Sequence, residues 1–137
     1  MASMTALREG IATRLATIDE LNVYAFIPDM IVTPAAIVAP GEEAFIQWDT
    51  SMSRGSDDYT FRVTLLLPRG SDQDGQAKLD AYLAGSGANS VKTAIEGDET
   101  LGGVADWAHV TEARSYGRVR WNEVEYYGCE LVVVVGV

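Results

Sequence analysis

Tyr59-Thr60-Phe61-Arg62-Val63-Thr64-Leu65-Leu66-Leu67 alternates apolar and polar side chains along most of its length. Tyr59, Phe61, Val63, Leu65 and Leu67 fall on one face of an extended chain, and Thr60, Arg62 and Thr64 on the other. That is the pattern of a strand with one face on a core. Pro68-Arg69-Gly70 ends it. Just upstream, residues 50–58 (Thr-Ser-Met-Ser-Arg-Gly-Ser-Asp-Asp) are polar and rich in turn formers, and are expected to form a loop long enough to reach outside the globule. Contacts to partners often sit on such loops.

Working outward from this strand, Leu7, Ile11, Leu15 and Ile18 recur at helical spacing, with Ser3 or Thr5 available as a cap. A short strand over 23–26 follows. Pro28, Pro34 and Pro40 then confine 35–39 to a short strand or an edge, and 42–49 forms another strand around Phe45 and Trp48. Downstream, Ser71 or Asp72 caps a helix running to about Leu83, with Asp72 and Asp74 in its first turn, Gln76, Leu79 and Leu83 inward and Tyr82 beside them. Residues 85–88 break it, and Ser90 restarts a short helix with Val91, Ala94 and Ile95 inward and Gly97 at its end. Leu101-Gly102-Gly103 is a turn. A strand over 104–114 precedes a hairpin of 116–121 and 124–135 turning at Asn122-Glu123. The last arm is apolar on both faces from Leu131, which marks a central strand. The expected fold is α+β: one domain over 1–137, an antiparallel or mixed sheet with helices packed on one face.

The chain has 137 residues, enough to bury a core without disulfides or metal. Twenty acidic and ten basic residues give a net charge of −10. That balance disfavours a domain that grips nucleic acid or a membrane surface through cationic clusters. It suits a surface that must not stick to DNA. The single cysteine, Cys129, lies in an apolar run and reads as a buried small hydrophobe. With no secretory pattern at its start and no apolar run long enough to span a bilayer, the chain is expected to be soluble and made in a cytoplasm, with no membrane partner.

Chemistry is sparse. His109 has no second histidine and lies twenty residues from Cys129, so a structural or surface role fits it better than a triad or zinc site. Asp72-Gln73-Asp74-Gly75 lacks the further carboxylates of a calcium loop. Asp57-Asp58 and Asp98-Glu99 are carboxylate pairs that read as solvated loop charge, since nothing apolar encloses them. Gly102-Gly103 and Ser86-Gly87 match no phosphate-binding loop. Arg118 and Arg120, near Trp107 and Trp121, suit a salt-bridged sheet face better than a base-stacking surface. No catalytic residue, cofactor or metal ligand is expected.

Taken in order, the segments resemble a tail terminator of long-tailed phages, particularly those infecting actinobacteria. The resemblance covers nearly the whole chain. It rests on LREGIATRLATI at 7–18, RGSDDYTFRVTLLL at 54–67, LDAYLAGSGANSVKTAIEGDETLGG at 79–103 and VTEARSYGRVRWNEVEYYGCELVV at 110–133. It implies a virion protein at the head-proximal end of the tail, forming a hexameric ring. Such a ring stops addition of tube subunits, meets the major tail tube protein on one face and the head–tail connector on the other, and lets DNA pass without specific binding. An acidic lumen suits that passage. Asp49, Asp57, Asp58, Asp98 and Glu99 are then expected to include lumen or subunit-interface residues, and Arg54 to pair across subunits. A head-completion connector or tail tube subunit is the neighbouring alternative, and a small carboxylate-dependent enzyme the more distant one.

Overall fold

The computed structural model describes residues 3–41, 44–48, 57–68, 72–121 and 123–137, with side chains from Gln76 onward in the second helix. The order is α1 (Met4–Leu15), β1 (Asn22–Tyr24), β2 (Ala35–Pro40), β3 (Ile46–Gln47), β4 (Asp58–Leu67), α2 (Asp72–Leu83), α3 (Val91–Glu96), β5 (Trp107–Trp121) and β6 (Val124–Gly136). The fold is α+β. The strands form one mixed sheet in the order β1-β2-β4-β6-β5, with β3 adding to β4 off that path. β1 and β2 are parallel, with residues 25–34 as the crossover such a pair requires, and every other pairing is antiparallel.

One face of the sheet carries the main core. Phe61, Val63, Leu65 and Leu67 of β4, Ala36 and Val38 of β2, and Cys129, Leu131, Val133 and Val135 of β6 meet Leu7, Ile11 and Leu15 of α1, Leu79 and Tyr82 of α2, and Val91, Ala94 and Ile95 of α3. The helices therefore cover that face. On the other face Ala35, Ile37 and Leu66 form a smaller cluster with Tyr24, Ile31, Val119, Trp121 and Tyr126. Leu66 thus joins the second cluster because the period of two turns it away from Leu65 and Leu67.

Local chemistry sets the element ends. Ser3 Oγ accepts from the Ala6 N–H at 3.1 Å and starts α1. Ile18, placed in this helix by its spacing, lies just beyond it and is still buried. Arg14 in the last turn donates from Nε to the Ala94 carbonyl at 2.9 Å, tying α1 to α3. Ser90 caps α3 by accepting from the Thr93 N–H, and Gly97 ends it.

Several boundaries differ from the sequence reading. β2 is the short strand expected over 35–39, but it is interior and not an edge, flanked by β1 and β4 and buried along 35–39; Pro40 closes its end, where a missing N–H costs least. The strand expected over 42–49 is only Ile46–Gln47, with Phe45 and Trp48 exposed; residues 42, 43 and 49 lie outside the described residues. Gln76 is exposed, leaving Leu79, Tyr82 and the partly buried Leu83 to carry the inner face of α2. Ser71 is outside the described residues, as are the side chains of Asp72 and Asp74, so the expected cap and acidic first turn fall there too. The two strands expected over 104–121 are one, β5. The left-handed backbone of Leu101, Gly102 and Gly103 delays its start to Trp107. Ser115, at φ +59°, and Gly117, at φ +144°, form an irregularity that bends the strand without ending it.

A second register shift lies between Val110 and Glu112. The Val110 N–H donates to Glu96 Oε2 at 3.0 Å, and Lys92 Nζ meets the same oxygen at 2.5 Å. Burial raises the Glu96 pKa, but these hydrogen bonds, the Lys92 charge and His109 outweigh it and hold the carboxyl below its ordinary range. Glu96 thereby docks α3 onto β5.

Candidate interaction surfaces

The carboxylates singled out by sequence separate into two places. β4 starts where β6 ends: Asp57 exchanges two backbone hydrogen bonds of 2.9 Å with Val137, and Asp58 pairs with Gly136. The Asp106 N–H also donates to the Gly136 carbonyl, at 2.8 Å. Three consecutive strand ends therefore bring Asp57, Asp58 and Asp106 to one end of the sheet. Asp106 escaped the sequence reading because its neighbour across the ladder lies thirty residues away.

Asp98 and Glu99 lie instead in the loop between α3 and β5. The Asp98 carboxylate accepts from Thr100 Oγ1 at 2.7 Å, the Thr100 N–H at 3.2 Å and the Gly102 N–H at 3.1 Å. The Thr100 hydroxyl foremost, then the Gly102 and Thr100 N–H groups and the Arg14 charge, hold its pKa below the usual range. Asp98 organises the turn that carries the left-handed residues 101–103, while Glu99 is exposed beside it. Asp49 and Arg54 lie outside the described residues, as do residues 50–56 of the loop. Among the described residues no group of three or more His, Cys, Asp or Glu is placed to hold a metal ion. Nor is any helix among them long and apolar enough to cross a membrane.

His109 stacks on Trp107, with ring centroids 5.4 Å apart, and is exposed. Trp107 stands at the opposite end of β5 from Arg118 and Arg120, so no shared stacking platform forms between them. Arg120 is opposite Glu125 in the register and Arg118 opposite Tyr127. Across the face away from the helices, Arg62 pairs with Glu130 at 3.6 Å. Cys129 is fully buried, and burial first, with Glu130 beside it, pushes its thiol up to about 12. It is no nucleophile at neutral pH.

Two clefts flank β5. One, of about 260 Å³, lies between Tyr82, Leu83 and Lys92 on the helix side and Val110, Ala113 and Leu131 on the sheet. It falls below the range usual for small-molecule sites, roughly 300–1,000 Å³. The other, of about 380 Å³, lies on the opposite face and carries the exposed Arg114–Glu112 pair, 3.9 Å apart.

The most pronounced surface feature is the 25–34 crossover. Phe26, Ile27, Met30 and Val32 are 47%, 60%, 85% and 66% exposed, while Ile31 turns inward to the smaller cluster. The loop is nonetheless held. Asn22 Nδ2 donates to the carbonyls of Val32 at 3.0 Å and Pro34 at 3.2 Å. The Val32 N–H donates to Tyr24 Oη at 2.9 Å, and the Arg8 guanidinium sits 5.3 Å from the Phe26 ring centroid. Exposed apolar side chains held on a braced loop make this segment a candidate contact surface. A second exposed apolar pair, Phe45 and Trp48, brackets β3. The sequence carried a signal for the first patch: an apolar run, Phe26 to Val32, broken by Pro28 and therefore unable to bury itself as a regular strand. No protein-family model matches the chain, and no curated protein matches it.

Proposed function

We propose that this chain is a ring-forming tail terminator, a virion subunit that caps the head-proximal end of a phage tail tube, ends tube growth and joins the tail to the head connector. The observation that carries the reading is the distribution of exposed apolar groups over two separate surfaces, the 25–34 loop and the flanks of β3. A subunit that must meet like copies, a tube below and a connector above needs several distinct adhesive faces. The resemblance of the 7–18, 54–67, 79–103 and 110–133 segments to tail terminators, in that order, supplies the specific identity. The acidic balance supports a channel through which DNA passes without being held. Asp57 and Asp58, with Asp106 beside them, are the described residues we assign to the lumen or to a subunit interface. A ring of six is the expected assembly, with no cofactor.

Electron microscopy of the purified protein separates this reading from that of a tube subunit, which shares the need for adhesive faces. Monomers or discrete rings are expected; long tubes formed by the chain alone would assign it to the tube.

A further inference from the structure

We infer that the outer end of the β5–β6 hairpin is a hinged strap: its arms, 118–121 and 124–126, swing about Gly117 and Gly128, and when closed they clamp the 25–34 crossover. This device goes beyond the tail reading and does not depend on it.

The hairpin belongs to two different packings. Its base lies in the main core, where Ala108 of β5 and Cys129, Leu131 and Val133 of β6 meet the helices. Tyr116 fastens the same part to α2, its hydroxyl donating to Asp80 at 2.9 Å. There the hairpin changes direction. Ser115, at φ +59°, and Gly117, at φ +144°, break the register of β5, and a glycine takes such a backbone with least strain. Gly128 stands opposite Gly117, and a Cβ on Gly128 would overlap the Leu65 carbonyl oxygen, so β6 lies close against β4 at this point. Past this pivot Val119, Trp121 and Tyr126 pack on Ala35, Ile37 and Leu66, on the sheet face away from the helices.

Beyond the pivot the strap leans on little. β4 pairs with β6 only as far as Leu67 with Tyr127, so 124–126 have β5 as their one strand neighbour among the described strands. A two-stranded ribbon is marginal in water and depends on what it packs against. Here that is the smaller cluster, where Val119, Trp121 and Tyr126 are themselves only partly buried. The strap therefore opens at lower cost than the helix-covered core. Tyr24 and Ile31 pack on the same cluster, and Tyr24 Oη accepts from the Val32 N–H. Closing the strap thus steadies the loop that displays Phe26, Ile27, Met30 and Val32, and opening it lets that apolar surface loosen.

Native-state amide hydrogen exchange on the full chain, followed by NMR, tests this. After correction for intrinsic rates, the most protected strap amide is expected to exchange about tenfold or more faster than Val63 of β4 and Val133 of β6. Urea is expected to speed it less steeply, because opening the strap exposes less surface than unfolding the chain. Ile11→Val, in the main core, is expected to speed Val63 and Val133 about two- to tenfold and to leave the strap amides unchanged, since that core stays intact when the strap opens. Trp121→Ala is expected to speed the strap amides and the Val32 amide by a common factor, about tenfold. Circular dichroism verifies folding, and Val119→Ala serves as the milder variant. Strap amides as protected as Val63, or sped by Ile11→Val to the same degree, would overturn the hinge. A Val32 amide unmoved by the strap variants would overturn the clamp.

Discussion

At the scale of single residues, environment decides what each group can do. Cys129 lies under the helices with its thiol pushed up to about 12, so alkylation by iodoacetamide at neutral pH is expected to be undetectable in the folded protein and complete in denaturant. Gly128 has no room for a side chain: a Cβ there would overlap the Leu65 carbonyl oxygen. Gly128→Ala is expected to cost about 1–3 kcal/mol in urea unfolding. Glu96 holds a bulge N–H and a lysine, and its folded pKa lies below the unfolded value. Its contribution is therefore present above the unfolded pKa and is lost as pH falls through the folded one. Glu96→Gln is expected to destabilise by about 1 kcal/mol at neutral pH, with the gap from wild type closing in acid. The sequence showed Cys129 as apolar because its neighbours are apolar. It did not show the work of Glu96 or Asp98, whose partners are backbone N–H groups positioned by folds of the chain around them.

At the scale of elements, periodicity and caps were legible wherever one face is buried. Leu7, Ile11 and Leu15 announced α1, the alternation from Tyr59 announced β4, and Ser90 with Gly97 framed α3. Ser3→Ala is expected to cost about 1 kcal/mol of stability, measured by thermal or urea unfolding, through loss of the α1 cap. Ile11→Ala is expected to cost more, about 2–5 kcal/mol, because it opens a cavity beneath the fully buried helix face. What the sequence hid has a common cause. β5 stays one strand through Ser115 and Gly117 because its partner β6 holds it on both sides of the irregularity. β2 becomes interior because β1 pairs with it in parallel across ten intervening residues. Both outcomes depend on pairings remote in sequence, which local composition does not encode. The braced 25–34 loop belongs here too: its anchors, Asn22 and Tyr24, come from the strand before it.

At the scale of the whole molecule, one helix-covered sheet presents an acidic corner at the β4 and β6 ends, an apolar loop beyond β1 and a β5 whose Arg114 and Arg120 are set against Glu112 and Glu125. Such a particle has several different faces, as the proposed assembly between a tube and a connector would require. On the tail-terminator proposal the acidic corner faces the DNA path, so adding lysines there (Asp57→Lys with Asp58→Lys) is expected to slow genome ejection, measured by dye release from triggered particles, as cations retain the passing phosphates. The central claim is about position. On the tail-terminator proposal the gene is a phage's, and cryo-electron microscopy of that phage's intact virions tests the claim most directly. The expected map shows one ring of this subunit between the last tube layer and the head connector, and nowhere else. Density for the chain repeating along the tube, within the head, or absent from the particle would contradict it.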